Sequence, residues 1–92
     1  MRASTSVSAS LSAGLALRRI RAEHNERRFY GLEVVVDLFG TILLIRRWGR
    51  IGTDGQRRSE PHADRAAAEA ALARLAEAKR RRGYRDHPPS AQ

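Results

Sequence analysis

The chain carries two short apolar runs, Val34-Val35-Val36 and Ile42-Leu43-Leu44-Ile45, on either side of Leu38-Phe39-Gly40. Consecutive β-branched and aliphatic residues fit strands that are covered on both faces. Neither run approaches the roughly 20 apolar residues of a spanning helix, so no membrane segment is expected. Two such strands joined by a turn form an antiparallel pair whose apolar faces need cover. A helix can supply one cover. The other is left to the N-terminal segment, to the returning strand of a curled sheet, or to a partner.

The flanking residues extend this pair. Phe29 to Asp37 reads as a strand with Tyr30, Leu32, Val34 and Val36 on one face, and Thr41 to Trp48 as the next. Leu15 to Arg21 reads as an edge strand, its arginines discouraging further pairing. His24 to Arg28 reads as a connection. Asp54-Gly55 signals a two-residue hairpin, Gln56 to Glu60 the returning strand, and Pro61 its end. A helix then starts at the N-cap Asp64, with Ala68, Leu72, Leu75 and Ala76 on one stripe, and stops at Gly83. The expected class is α+β: a small antiparallel sheet with one long C-terminal helix packed across it. Residues 1–14 are expected to be disordered or loosely attached, 15–86 to form the domain, and 87–92 to be a flexible tail.

Among the 92 residues, 18 are basic and 10 acidic, for a net charge of +8. All the basic residues but Lys79 are arginine, whose planar fork suits phosphate. Such a chain is drawn to polyanions. It has no cysteine, which excludes a disulfide scaffold, thiolate metal sites and a cysteine nucleophile. Serines at alternating positions from Ser4 to Ser12 interrupt any signal-peptide core, so a cytoplasmic location is expected. The basic residues cluster twice: Arg46, Arg47, Arg50, Arg57 and Arg58 around the single tryptophan, and Arg74 to Arg85 at the helix end.

Trp48-Gly49-Arg50, Ile51-Gly52-Thr53 and Gly55-Gln56 together resemble the signature of the WGR domain family. Asn25 with Arg28-Phe29-Tyr30, and Lys79 with Gly83-Tyr84, resemble the family's opening and closing motifs. The resemblance spans Leu17 to Tyr84. It implies a curved antiparallel sheet carrying one helix. WGR domains occur in poly(ADP-ribose) polymerases, in proteins resembling the molybdate metabolism regulator, and as short standalone bacterial proteins, the kind this chain is similar to. In the polymerases the domain binds DNA at strand breaks, the tryptophan packing on a terminal nucleotide and the motif arginine also contacting other domains. The resemblance therefore implies a stacking role for Trp48, a phosphate or partner contact for Arg50, and a place beside them for Asn25 and Arg28. His62 stands where the family often has an aromatic residue before the helix.

The candidate nucleic-acid-binding residues are Asn25, Arg28, Arg46, Arg47, Trp48, Gly49, Arg50, Gln56, Arg57, Arg58, Lys79 and Arg82. Plainer readings stand beside this one. Trp48 alternates with Leu44 and Arg46, which also suits a core position at a strand end. Asn25 suits a turn. The arginines at the helix end suit a solvated terminus favoured by the helix dipole. Gly49, Gly52 and Gly55 enter a hairpin, not a helix, so they read as turn residues and not as a nucleotide-binding loop. No metal site, cofactor or catalytic set assembles from these residues, and a non-enzymatic module is expected. Its partner is DNA, favoured at ends, nicks or gaps, or another polyanion. The alternative is a protein-interaction module that meets an acidic partner.

Overall fold

The structure, a computed structural model, describes residues 9–11 and 14–87. The chain runs through β1 (Ala9–Ser10), β2 (Leu15–Arg21), a 3-10 turn (Ala22–His24), β3 (Glu26–Val36), β4 (Ile42–Arg50), β5 (Gln56–His62), α1 (Arg65–Arg81) and β6 (Arg85–Asp86). The strands are antiparallel in the order β5-β4-β3-β2-β6, and β1 pairs with β3 off this path. The helix packs on one face, giving the expected α+β architecture.

Directly paired residues share a face of a sheet. The register therefore sends Leu17, Tyr30, Leu32, Val34 and Leu44 toward the helix, where they form one core with Ala68, Ala71, Ala76 and Tyr84. The helix stripe is the expected one, widened by Ala71. Ala68, Ala71 and Ala76 are buried, while Leu72 and Leu75, which lie between them around the helix, are half-buried and packed against the core. Alanines along the stripe let the helix lie close to the sheet, and the two leucines add apolar surface to the same contact. Val35 and Ile45 are buried on the opposite face, so these strands are apolar on both sides as their sequences indicate.

Several boundaries differ from the sequence reading. β3 begins at Glu26, because Arg27 and Arg28 already pair with Ile20 and Arg19 across from β2. β2 is not the outermost strand, since β6 pairs with Leu17 and Arg18. Pro61 does not end β5. It sits within it, opposite Leu43 on the edge of the sheet, where a missing N–H costs no ladder bond. The β4–β5 connection is not a two-residue turn but the loop Ile51 to Gly55. β4 outruns β5 and continues alone against β3 through Phe29–Gly49 and Arg28–Arg50.

The helix ends follow local chemistry. The Asp64 carboxylate accepts from the Ala67 N–H at 2.8 Å. At the other end Gly83 takes a left-handed φ of 95°. The Gly83 N–H then donates to the Arg80 carbonyl and the Tyr84 N–H to the Lys79 carbonyl, a Schellman closure. That closure turns Tyr84 back into the core, edge-on to Tyr30 at 6.3 Å. Within the segment expected to be loose, Ala9 and Ser10 pair with Val36 and Val35. The rest of that expectation, for residues 1–8 and 12–13, lies outside the described residues, as does residues 88–92 of the tail. The His87 N–H donates to the Ala16 carbonyl at 2.7 Å.

Candidate nucleic-acid interface

Three cross-strand rows build a basic surface on the helix-bearing face. Arg19, Arg28 and Arg50 stand opposite one another on β2, β3 and β4. The next row is Leu17, Tyr30, Trp48 and Gln56, and the one after it ends in Arg46 and Arg58. Like charges placed directly opposite one another destabilise a sheet, so each row needs local compensation. Glu26 supplies it for the first row. It accepts from Arg19 Nε at 2.8 Å and lies 3.4 Å from Arg28 Nε. Glu60 serves the third, 2.8 Å from Arg46 and 3.6 Å from Arg58. Arg50 and Arg82 have no ion pair among the described residues.

Trp48 is half-buried, which answers the question its sequence position left open. Its ring leans on Tyr30 at 6.3 Å, and the Arg46 guanidinium lies 5.7 Å from the indole. Arg46 is itself pinned by donating from Nε to the Tyr30 hydroxyl at 2.8 Å. Burial opposes its charge, but the hydrogen bonds to Glu60 and Tyr30 win and push its pKa above the usual arginine range. Arg46 is thus a fixed support for the indole.

The end of α1 reaches the same surface. The Lys79 ammonium sits 4.5 Å from the Tyr30 ring centroid and 5.5 Å from that of Tyr84. Its pKa is lowered, first by burial and then by repulsion from Arg82, Arg46, Arg19 and Arg28. These five cations, from β2, β3, β4 and the helix end, act on a common volume. The Glu26 carboxyl is held below its usual range, first by its hydrogen bond from Arg19 and then by the charges of Arg19, Arg21 and Arg28.

Beside Trp48 the surface dips into a depression of about 560 Å³ lined by Asn25, Arg28, Trp48, Gly49, Arg50 and Gln56, together with His24, Glu26 and Arg27. Asn25 forms one wall as a left-handed residue, φ 51°, that closes the 3-10 turn with its N–H on the Ala22 carbonyl. Its turn role and its place at the depression are both real. On the far side the Gly55 Cα lies 2.7 Å from the position that a Cβ on Gly49 would take. The loop is pinned by Thr53, whose hydroxyl donates to the Arg50 carbonyl at 2.7 Å. Among the described residues no group of three or more His, Asp or Glu side chains is placed to hold a metal ion. No described helix is long and apolar enough to cross a membrane.

Residues 14–91 match the WGR domain. The chain belongs to the WGR family. It is 38% identical over 74 residues to the uncharacterized protein y4dW of Sinorhizobium fredii (strain NBRC 101917 / NGR234), covering 80% of this chain. It spans only 36% of that relative's length. No solved structure matches it.

In this WGR domain the sequence-derived residues divide by face. Asn25, Arg28, Trp48, Gly49, Arg50 and Gln56 meet at the depression, with Arg46, Arg58, Lys79 and Arg82 on the surface around it. Arg47 and Arg57 do not join them. They pair with each other on the opposite face, because neighbours along a strand point to opposite sides. Arg19, His24, Glu26 and Arg27 belong to the surface and were not on the sequence-derived list. Arg19 is found only through the β2–β3 register, which no local motif announces.

Proposed function

We propose that this WGR domain is a non-catalytic nucleic-acid-binding module that takes DNA at ends, nicks or gaps. The observation that carries the reading is the depression in which Trp48 lies beside Asn25, Arg28, Arg50 and Gln56. The half-buried indole is held by Tyr30 and the Arg46 guanidinium, and its exposed part is offered to a flat terminal base pair or its sugar. Such a contact is worth about 1–3 kcal/mol by analogy with single-strand stacking. Arg28, Arg50 and Arg58 are charge forks spaced along the same face for backbone phosphates. Lys79, whose pKa is lowered by burial and by four neighbouring cations, adds positive charge to the same surface.

The test compares a short duplex with ends against a covalently closed circle. Trp48→Ala is expected to weaken binding to the fragment by about 1–3 kcal/mol and to change the circle far less. Folding is checked by circular dichroism first. Equal losses on both DNAs in a folded variant would remove the stacking role and leave Trp48 as scaffold for the arginines. A second reading, a module docking on a protein, is favoured by one observation. Leu38 and Phe39, 67% and 91% exposed, project from the β3–β4 turn at the other end of these strands.

A further inference from the structure

Gly31 lies in the middle of β3, with neighbours on both sides of its strand: Ala16 on β2 and Arg47 on β4. Glycine in a strand interior costs stability, so a reason for it is normally visible in the backbone. None is visible here. Gly31 is not among the positive-φ residues, and a Cβ built on it meets nothing closer than the Leu15 carbonyl oxygen at 3.8 Å. The contrast with Gly49 and Gly55, where a Cβ would collide with backbone, is direct. The fold would accept a side chain at position 31. What the glycine does create is an open trough on the sheet face away from the helix.

That trough is bordered by Ala16, Arg18, Phe29, Gly31, Arg47 and His87 around a depression of about 320 Å³. A second depression of about 460 Å³ shares Ala16, Gly31 and Arg47 with it and is also lined by Ile45 and Glu33. Phe29 is half-buried, with the Arg47 guanidinium 5.9 Å from its ring centroid. Arg57 stands opposite Arg47, and Arg85 opposite Arg18. None of Arg18, Arg47, Arg57 and Arg85 forms an ion pair among the described residues, unlike the arginines tied to Glu26 and Glu60 on the helix side. Four arginines without a carboxylate partner, one of them stacked on Phe29 and donating to the Asp54 carbonyl at 3.2 Å, beside a floor of Gly31 and Ala16, match the needs of a flexible polyanion that carries flat rings.

We propose that this outer sheet face is a second binding site, for a single-stranded nucleic-acid segment. A base packs against Phe29, the sugar-phosphate backbone passes over Gly31, and Arg18, Arg47 and Arg57 hold phosphates. The two faces then serve different forms of nucleic acid: a duplex terminus beside Trp48, and an unpaired strand across Gly31. This site uses none of the residues at the Trp48 depression, so it stands or falls independently of it.

The experiment titrates the full chain into a fluorescently labelled oligothymidylate of about twelve nucleotides, within the roughly 4–16 nucleotides that a sheet-sized site covers. A blunt duplex is titrated in parallel. Gly31→Val fills the trough with a good strand former, so its melting temperature is expected to equal or exceed that of the native chain. Its affinity for the oligonucleotide is expected to fall roughly tenfold, with the duplex hardly affected. Arg18→Gln with Arg47→Gln is expected to do the same without altering a backbone position. Trp48→Ala is expected to weaken the duplex and spare the single strand. Native single-strand affinity in both outer-face variants overturns the proposal. An oligoglutamate peptide that binds as tightly as the oligonucleotide, and loses the same factor on Gly31→Val, also overturns it, in favour of an acidic protein partner.

Discussion

Arg28 and Arg50 stand directly opposite each other on β3 and β4, and the carboxylate of Glu26 lies 3.4 Å from Arg28 while Arg50 has no acidic partner among the described residues. Two facing cations cost a sheet roughly 0.2–1 kcal/mol. Arg50→Gln is therefore expected to hold or raise the melting temperature. In the same protein the slope of log affinity against log salt on duplex DNA is expected to flatten by about one unit, the value of one phosphate contact. A variant that melts lower and keeps the native slope would make Arg50 a structural residue.

The β4–β5 loop yields a different expectation. Gly55 has a φ of 69°, and a Cβ there would overlap the Trp48 carbonyl oxygen and approach the Phe29 ring to 2.7 Å. Gly55→Ala should lose about 1–3 kcal/mol of stability through overpacking, seen as a lower midpoint in urea. The same substitution at Gly40, which has no atom within 4 Å of the added carbon, carries the positive-φ strain without the collision and should cost less.

Acid should destabilise the domain in part through Glu26. Its carboxyl is held below the ordinary range, chiefly by the hydrogen bond from Arg19. A carboxyl with a folded-state pKa below its unfolded value contributes stability at neutral pH and loses it as pH falls through the carboxylate range. Asp86, lowered by its hydrogen bond from Arg80, acts in the same direction. Melting temperature plotted against pH should fall on acidification. Glu26→Gln should start lower at pH 7 and fall less steeply, and parallel curves would exclude this linkage.

His62 offers a stabilising change. Its Nε2 is buried with no hydrogen-bond partner among the described residues, at the end of β5 opposite Ile42. An unsatisfied buried polar atom costs about 1–3 kcal/mol. His62→Phe keeps a flat ring and removes that atom, so the denaturant midpoint should rise by an amount equivalent to about 1 kcal/mol. A fall would mean that the imidazole has a partner, such as an ordered water.

Short-range chemistry was the legible part of this sequence. Asp64 and Gly83 mark the helix ends because each acts on groups a few residues away. The alternation from Tyr30 to Val34 names its own buried face. Register was not legible, since it depends on residues distant in the chain. It decides that Arg19 joins Arg28, and that Ile51 to Gly55 is loop instead of a tight turn. The separation of Arg57 from Arg58 follows from strand alternation alone, yet counting charge along the chain conceals it. The helix face was legible from its spacing, which named Ala68, Leu72, Leu75 and Ala76; the structure adds Ala71 and leaves the two leucines half-buried.

The contact between Gly49 and Gly55 gives the tripeptide Trp48-Gly49-Arg50 a divided character. Its middle residue is held by backbone lying against backbone, a demand that exists whether or not any ligand is present. Arg50 answers to no such demand. A random library at positions 48 to 50, sorted only for folded protein, should return glycine at 49 and a free choice at 50. Sorted for binding, the same library should recover the arginine. The three letters by which such a chain is recognised thus carry one instruction for assembly and another for use, and the two are separable by experiment.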